Sequence, residues 1–149
     1  MASSCRVGAL TAQRPASEVE ALTEFGRRFG MIYQLRDDVL DIVATDGQLG
    51  KPAGQDLAEG IYTLPVLVAL RDGDIGNELR DILGSPLDDE DRERARKMVV
   101  ATDGVAATLR ATHEHLVEAH RTLEELPEAD LRTGLGALVS SLVEDLPVA

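Results

Sequence analysis

The chain has 149 residues, of which 44% are hydrophobic and 28% charged, and it carries a net charge of −12. That is the make-up of one soluble globular domain, and an acidic surface of this kind repels a phosphate backbone, so nucleic acid is excluded as a partner. The single cysteine, Cys5, cannot pair within the chain; no apolar run has the ~20 residues of a membrane span; and no basic segment followed by an apolar one opens the sequence. A cytoplasmic protein without a membrane span is expected.

In chain order the hydrophobic periodicity is helical almost throughout, and no alternating strand pattern emerges. Residues 2–12 read as a short helix ending before Pro15. Ser17 with Glu20 fits a capping box that opens a long helix to about Thr45. Asp46, Gly47, Gly50, Pro52 and Gly54 mark a loop. Residues 64–71 form the next helix, with Pro65 in its first turn. After a break at 72–76 a short helix runs to Leu83, a further one from Asp88 to Ala101, another from Asp103 and Gly104 to Leu126, and the last from Pro127 to Asp145. The expected fold is an all-α helical bundle.

The chemistry is concentrated on the long helix. Gln34, Asp37 and Asp41 share a stripe at i, i+3 and i+7, and Asp38 lies about 100° round from Asp37. Next to them runs an apolar stripe of Leu22, Phe25, Phe29, Ile32, Leu40 and Val43. Carboxylates drawn toward an apolar setting need a counter-ion. The spacing aims Asp37 and Asp41 together into a cleft with Asp38 at its rim. Hard carboxylate oxygens that leave positions to water and phosphate suit Mg²⁺, and Lys51, one of two lysines with Lys97, can meet a phosphate as a point charge. A solvated acidic face is the competing reading of the same acids.

Tyr33, Gln34, Asp37, Asp38 and Asp41, followed by Gly50, Lys51, Pro52, Asp56, Leu57, Gly60, Thr63, Leu64 and Pro65, resemble the second aspartate-rich region of the trans-polyprenyl diphosphate synthases. Ala2 to Ala9 is similar to the remainder of the family's Lys-Thr-Ala-x-Leu helix, and Gly104, Val105, Leu126, Pro127, Arg132 and Leu135 to its carboxyl end. The resemblance implies that residues 1–149 form a single partial domain, the carboxyl-terminal portion of the isoprenoid (terpenoid) synthase fold. It also implies a prenyltransferase of isoprenoid biosynthesis, which condenses isopentenyl diphosphate with an allylic diphosphate by Mg²⁺-assisted ionisation. Carried over residue by residue, Asp37 and Asp41 would be Mg²⁺ ligands, with Asp38 acting beside them through water or outer contacts. Lys51 would contact the allylic diphosphate, Tyr33 and Gln34 would line the site near isopentenyl diphosphate, and Asp56 would order the loop.

The family's first motif, DDxxxxD, has no counterpart here, Ile61 stands where the family often has Lys, and Tyr33 replaces Phe. The chain therefore reads as one wall of a two-walled site, inactive by itself and in need of a complementing half-domain or a homo- or hetero-oligomer. Its long helix is expected to leave an apolar patch uncovered. The alternative is a truncated, inactive relative that serves as a partner subunit of a full synthase or as a non-functional remnant.

Other signals read as structural. Asp88, Asp89, Glu90 and Asp91 sit where a helix begins and satisfy its free N–H groups. His113, His115 and His120 have spacings that put no adjacent pair on one face, so they read as surface residues. Cys5 reads as a small buried residue, and Gly26 and Gly30 either allow close helix packing or reflect composition.

Overall fold

A computed structural model of the chain describes residues 1–45 and 52–147. These form helices α1 (Ala2–Thr11), α2 (Ala16–Val43), α3 (Gln55–Ala58), α4 (Leu64–Ala69), α5 (Asp74–Leu83), α6 (Asp89–Val100), α7 (Gly104–Leu123) and α8 (Ala129–Ser141), with no strand among the described residues. They divide into two compact units, Met1–Arg36 with Ala111–Pro147, and Asp37–Arg110. The division falls inside α2 and inside α7.

The first unit is built on Ala21, Phe25, Ile32, Ala119, Leu123, Leu126 and Val139, all buried, with Leu22, Phe29, Leu116, Leu131 and Leu135 packed around them. Burying the Phe, Ile, Leu and Val side chains among these contributes roughly 1.5–3 kcal/mol each. Phe25 and Phe29 meet with ring centroids 6.1 Å apart. The helix α1 lies close on α2 at Gly26, where a Cβ would come within 2.7 Å of Cys5 Sγ and 3.0 Å of the Ala2 Cα. At Gly30 the same atom would make ordinary contact with Met1 at 3.4 Å, so close packing explains the first glycine and leaves the second to composition. Cys5 is only half-buried, in contrast to the buried residue expected, because α1 is a single docked helix with most of its surface open. Arg14, in the turn before α2, donates to Glu18 at 2.6 Å and to Glu128 at 2.7 Å, tying the head of α2 to the residue that precedes α8.

The expected capping box is not formed. Helix α2 begins at Ala16, one residue before Ser17, and the Val19 N–H donates to the Pro15 carbonyl. Pro15 fixes the chain for helix entry, and Arg14 recruits Glu18 of the first turn. At the other end, α8 starts at Ala129 and stops at Ser141, shorter than expected at both ends. Among the described residues the large apolar side chains of α2 are mostly covered: Phe25, Ile32, Leu35, Val39 and Ile42 are buried, and only Met31 and Tyr33 are exposed. The uncovered face expected on this helix is therefore absent.

The second unit gathers around α6, which packs against α3, α4 and α5. Its core is Ile42, Leu57, Val66, Ala69, Leu79, Ala95 and Val99. Asp88 caps α6 by accepting from the Asp91 N–H at 2.8 Å, as the acidic run implied. Small residues allow two close approaches. A Cβ at Gly76 would lie 2.7 Å from the Leu70 carbonyl oxygen, and one at Gly104 would overlap the carbonyl oxygen of Pro65. The start of α7 thus rests directly on the backbone of α4, and the Gly104 N–H donates locally to Thr102 Oγ1 at 3.1 Å.

Gly104→Ala should therefore destabilise the chain by about 2 kcal/mol, an overpacking cost against backbone that cannot swing aside. Gly134→Ala, on α8 with nothing within 4 Å of the added atom, should stabilise by roughly 0.5–1 kcal/mol because alanine loses less backbone freedom. Denaturant midpoints that move in the same direction for both would contradict this packing.

A pH dependence follows from His115 on α7, whose Nδ1 lies 3.1 Å from Arg28 Nη1. Burial and the Arg28 charge hold its pKa below the ordinary 6.5. The unfolded chain takes up the proton first, so this contribution to stability is complete above pH 6.5 and is lost as pH falls below it through the lowered folded value. Wild type should lose more thermal stability than His115→Gln across that interval, and parallel curves would remove His115 from the account.

Candidate diphosphate site

The acids sit in the last two turns of α2, within the second unit. Leu35, Val39 and Ile42 mark its buried line. Asp38 is three residues on from Leu35, and Asp41 three on from Asp38, so both fall beside that line. Asp38 is 5% exposed and Asp41 3%, whereas Asp37, on the opposite side of Asp38, is exposed. Asp38 is thus not at a rim, and Asp37 and Asp41 do not share an environment. The apolar line runs through Leu35, Val39 and Ile42 rather than through Leu40 and Val43, and that rotation moves Asp38 inward.

Asp41 has found positive partners in backbone N–H groups. Its Oδ1 accepts from the Gln55 N–H at 3.3 Å and its Oδ2 from the Asp56 N–H at 3.2 Å. The Asp41 carbonyl oxygen accepts from the Gly54 N–H at 2.8 Å. Three successive N–H groups at the start of α3 therefore converge on one aspartate. A helix amino terminus leaves such groups without intrahelical partners and carries a partial positive charge, which is what a buried carboxylate requires. The left-handed conformation of Gly54, with φ of 73°, turns the chain into this position. Asp41 thus orders the start of α3, with the Asp56 N–H among its donors.

Arg96 completes the arrangement from α6. Its Nη1 donates to the Ile42 carbonyl at 2.6 Å and, more weakly, to the Ala44 carbonyl at 3.4 Å, closing the carboxyl end of α2. Its Nε and Nη2 hold both oxygens of Glu93 at 2.9 and 3.2 Å, and this hydrogen bond holds the Glu93 carboxyl below its usual range. The stems of Arg92 and Arg96 cover Gly54, where a Cβ would be 3.2 and 3.5 Å from them. Neither Arg96 nor the short α3 was anticipated. The i, i+3 pair of Glu93 and Arg96 looks like an ordinary surface pair, and nothing local marks a partner more than 50 residues away in sequence.

Of the other expected residues, Tyr33 is 51% exposed and Gln34 is exposed, both in the first unit. Lys51 and the loop residues 46–51 lie outside the described residues. Among the described residues no three His, Cys, Asp or Glu side chains are grouped so as to hold a metal ion. The carboxylate oxygens of Asp37, Asp38 and Asp41 are hard donors of the type that divalent cations take.

An all-helical fold with paired acids at the end of its longest helix defines a class, and comparison with known proteins shows which. Residues 1–101 match the polyprenyl synthetase family model, and the chain belongs to that family. It is similar to heptaprenyl diphosphate synthase component 2 of Bacillus subtilis, 36% identical over 138 residues that cover 93% of this chain and 39% of that protein. It is likewise similar to nonaprenyl diphosphate synthase of Mycobacterium tuberculosis, 34% identical over 93% of this chain and 42% of that protein. The crystal structure of geranylgeranyl pyrophosphate synthase from Corynebacterium glutamicum, complexed with calcium and isoprenyl diphosphate, matches with a TM-score of 0.88 and 37% identity. That match covers 99% of this chain and 46% of the other. The fold is thus that of the prenyl synthases, and the chain spans about two-fifths of the length of the curated relatives it matches.

Asp41→Ala should cost about 1–3 kcal/mol, the usual result of leaving buried polar groups unpaired, and should speed amide exchange at Gln55 and Asp56 selectively. Asp41→Asn keeps one acceptor and should fall between. Unchanged exchange at these two amides would show that the contact does not hold α3.

Proposed function

We propose that the chain supplies the second aspartate-rich wall of a cytoplasmic trans-prenyl diphosphate synthase, as a single partial domain spanning residues 1–149. The reaction joins isopentenyl diphosphate to an allylic diphosphate: the allylic C–O bond breaks, a C–C bond forms, and a proton leaves. The observation that carries the reading is the exposed Asp37 beside two buried acids on a helix whose end is tied to α3, in a chain of the polyprenyl synthetase family.

Asp37 would hold Mg²⁺, with Asp41 and Asp38 supporting it, and the bound ion would supply charge neutralisation for the departing diphosphate. Asp41, held by the Gln55 and Asp56 N–H groups, would act by fixing that end of the helix. Lys51 would add a point charge on the diphosphate, Tyr33 and Gln34 would line the site for isopentenyl diphosphate, and Asp56 would help order the loop. A solved polyprenyl synthase from Caulobacter crescentus is complexed with calcium and isoprenyl diphosphate, which supports the substrate class and a divalent ion as ligand; it is 31% identical with a TM-score of 0.86.

A second reading makes the chain a partner subunit without activity of its own. Two relatives are named as component 2 of a heptaprenyl diphosphate synthase, which favours an assembly of more than one chain. In both readings the 149 residues alone should form no product from Mg²⁺, isopentenyl diphosphate and an allylic diphosphate. The first predicts turnover when a polypeptide bearing DDxxxxD is added, and loss of that turnover in Asp37→Ala; the second predicts that Asp37→Ala leaves the assembled enzyme active. Titration of Mg²⁺ with inorganic diphosphate should give calorimetric heat with wild type and much less with Asp37→Ala, and identical traces would remove Asp37 from the site.

A further inference from the structure

We infer that Arg96 is a positioning residue for the acid-bearing end of α2, acting through backbone rather than on substrate; the inference rests on the diphosphate-site reading above. Three sets of contacts converge on this one side chain. Its guanidinium holds the carbonyls of Ile42 and Ala44, one and three residues beyond Asp41. Its stem, with that of Arg92, lies over Gly54, the left-handed residue whose N–H donates to the Asp41 carbonyl. Its remaining donors are fixed by the two oxygens of Glu93, one turn back on α6.

The last carbonyls of a helix have no intrahelical donor and the terminal turn frays unless something supplies one. A guanidinium there satisfies them and also meets the negative end of the helix dipole. Asp41 belongs to that terminal turn, so its orientation toward the Gln55 and Asp56 N–H groups depends on the turn staying helical. Arg96 and Asp41 therefore act as opposed clamps, one closing the end of α2 and the other closing the start of α3. Arg96 is the member of the pair that carries no part of the acid chemistry. Its donors are planar and fixed by Glu93, which lysine reproduces only as a single point donor.

The test compares wild type, Arg96→Met, Arg96→Lys and Arg132→Met. Arg96→Met keeps an unbranched apolar stem over Gly54 and removes every donor. Arg132→Met is the control for a general loss of stability, since Arg132 also donates to a backbone carbonyl, that of Leu126 between α7 and α8, in the first unit. Hydrogen exchange at Gly54, Gln55 and Asp56 should quicken severalfold in Arg96→Met, recover in part in Arg96→Lys, and stay at the wild-type rate in Arg132→Met. Affinity for inorganic diphosphate with Mg²⁺, read by calorimetry, should weaken on the order of tenfold in Arg96→Met, as loss of residues that orient ligating groups does, and stay unchanged in Arg132→Met.

Unchanged exchange at the three amides in Arg96→Met overturns the inference, whatever the calorimetry shows. Faster exchange with undiminished affinity also overturns it, by making Arg96 a structural clamp only. If wild type gives no heat with Mg²⁺ and diphosphate, the diphosphate-site reading fails, and the exchange rates still decide whether Arg96 holds the turn.

Discussion

Burial of the Asp41 carboxylate is the constraint around which the second unit is arranged. An acid at 3% exposure is tolerable only with donors in place, and here main-chain N–H groups of α3 supply them. Such donors cannot be lost by rotation of a side chain. They also come from a helix of only four residues, too short to persist without tertiary support. The dependence is mutual: the acid needs the helix start, and the helix start needs the acid.

The surrounding packing serves the same junction. Helix α6 lies against α3, α4 and α5, so its Arg92 and Arg96 can reach over Gly54 while its apolar side enters the core through Ala95 and Val99. Any side chain at Gly54 would be strained by the positive φ and crowded by these two stems. Gly104 in turn allows α7 to start against the Pro65 carbonyl of α4. Pro65, which reads as part of a family signature, thus has a local physical reason. Pro65 occupies the first turn of α4, where its missing N–H costs nothing, and presents its carbonyl to a glycine.

Most helices were legible because periodicity, glycine and proline act locally. Asp88 as the cap of α6 needed only a carboxylate three residues before an N–H. The capping box at Ser17 failed because Arg14 pairs with Glu18 and Glu128, and the second of these is 114 residues away. The facing of the acids was misjudged for a similar reason. Leu40 and Val43 are as apolar as Val39 and Ile42, so composition alone does not say which pair points inward. A rotation of one residue, or 100°, decides which of Asp37 and Asp38 is buried. Helix α3 was missed because it follows a glycine and has no periodicity of its own; its stability comes from Asp41, which no window around residue 55 contains.

This arrangement also changes what the spacing of the three acids means. Two acids four apart on one helix face look equivalent, yet Asp37 is open and Asp41 is bonded to backbone. A cation drawn to this helix end would therefore meet unequal ligands. The exposed Asp37 would be able to adjust to the ion, while Asp41 is fixed in place by α3. That inequality suits an ion that must arrive and depart with a phosphate, since a rigid all-carboxylate cage would retain it. It also explains how an acid-rich helix can belong to the core of a chain with net charge −12: the buried Asp41 carboxylate is met by backbone N–H groups of the fold itself.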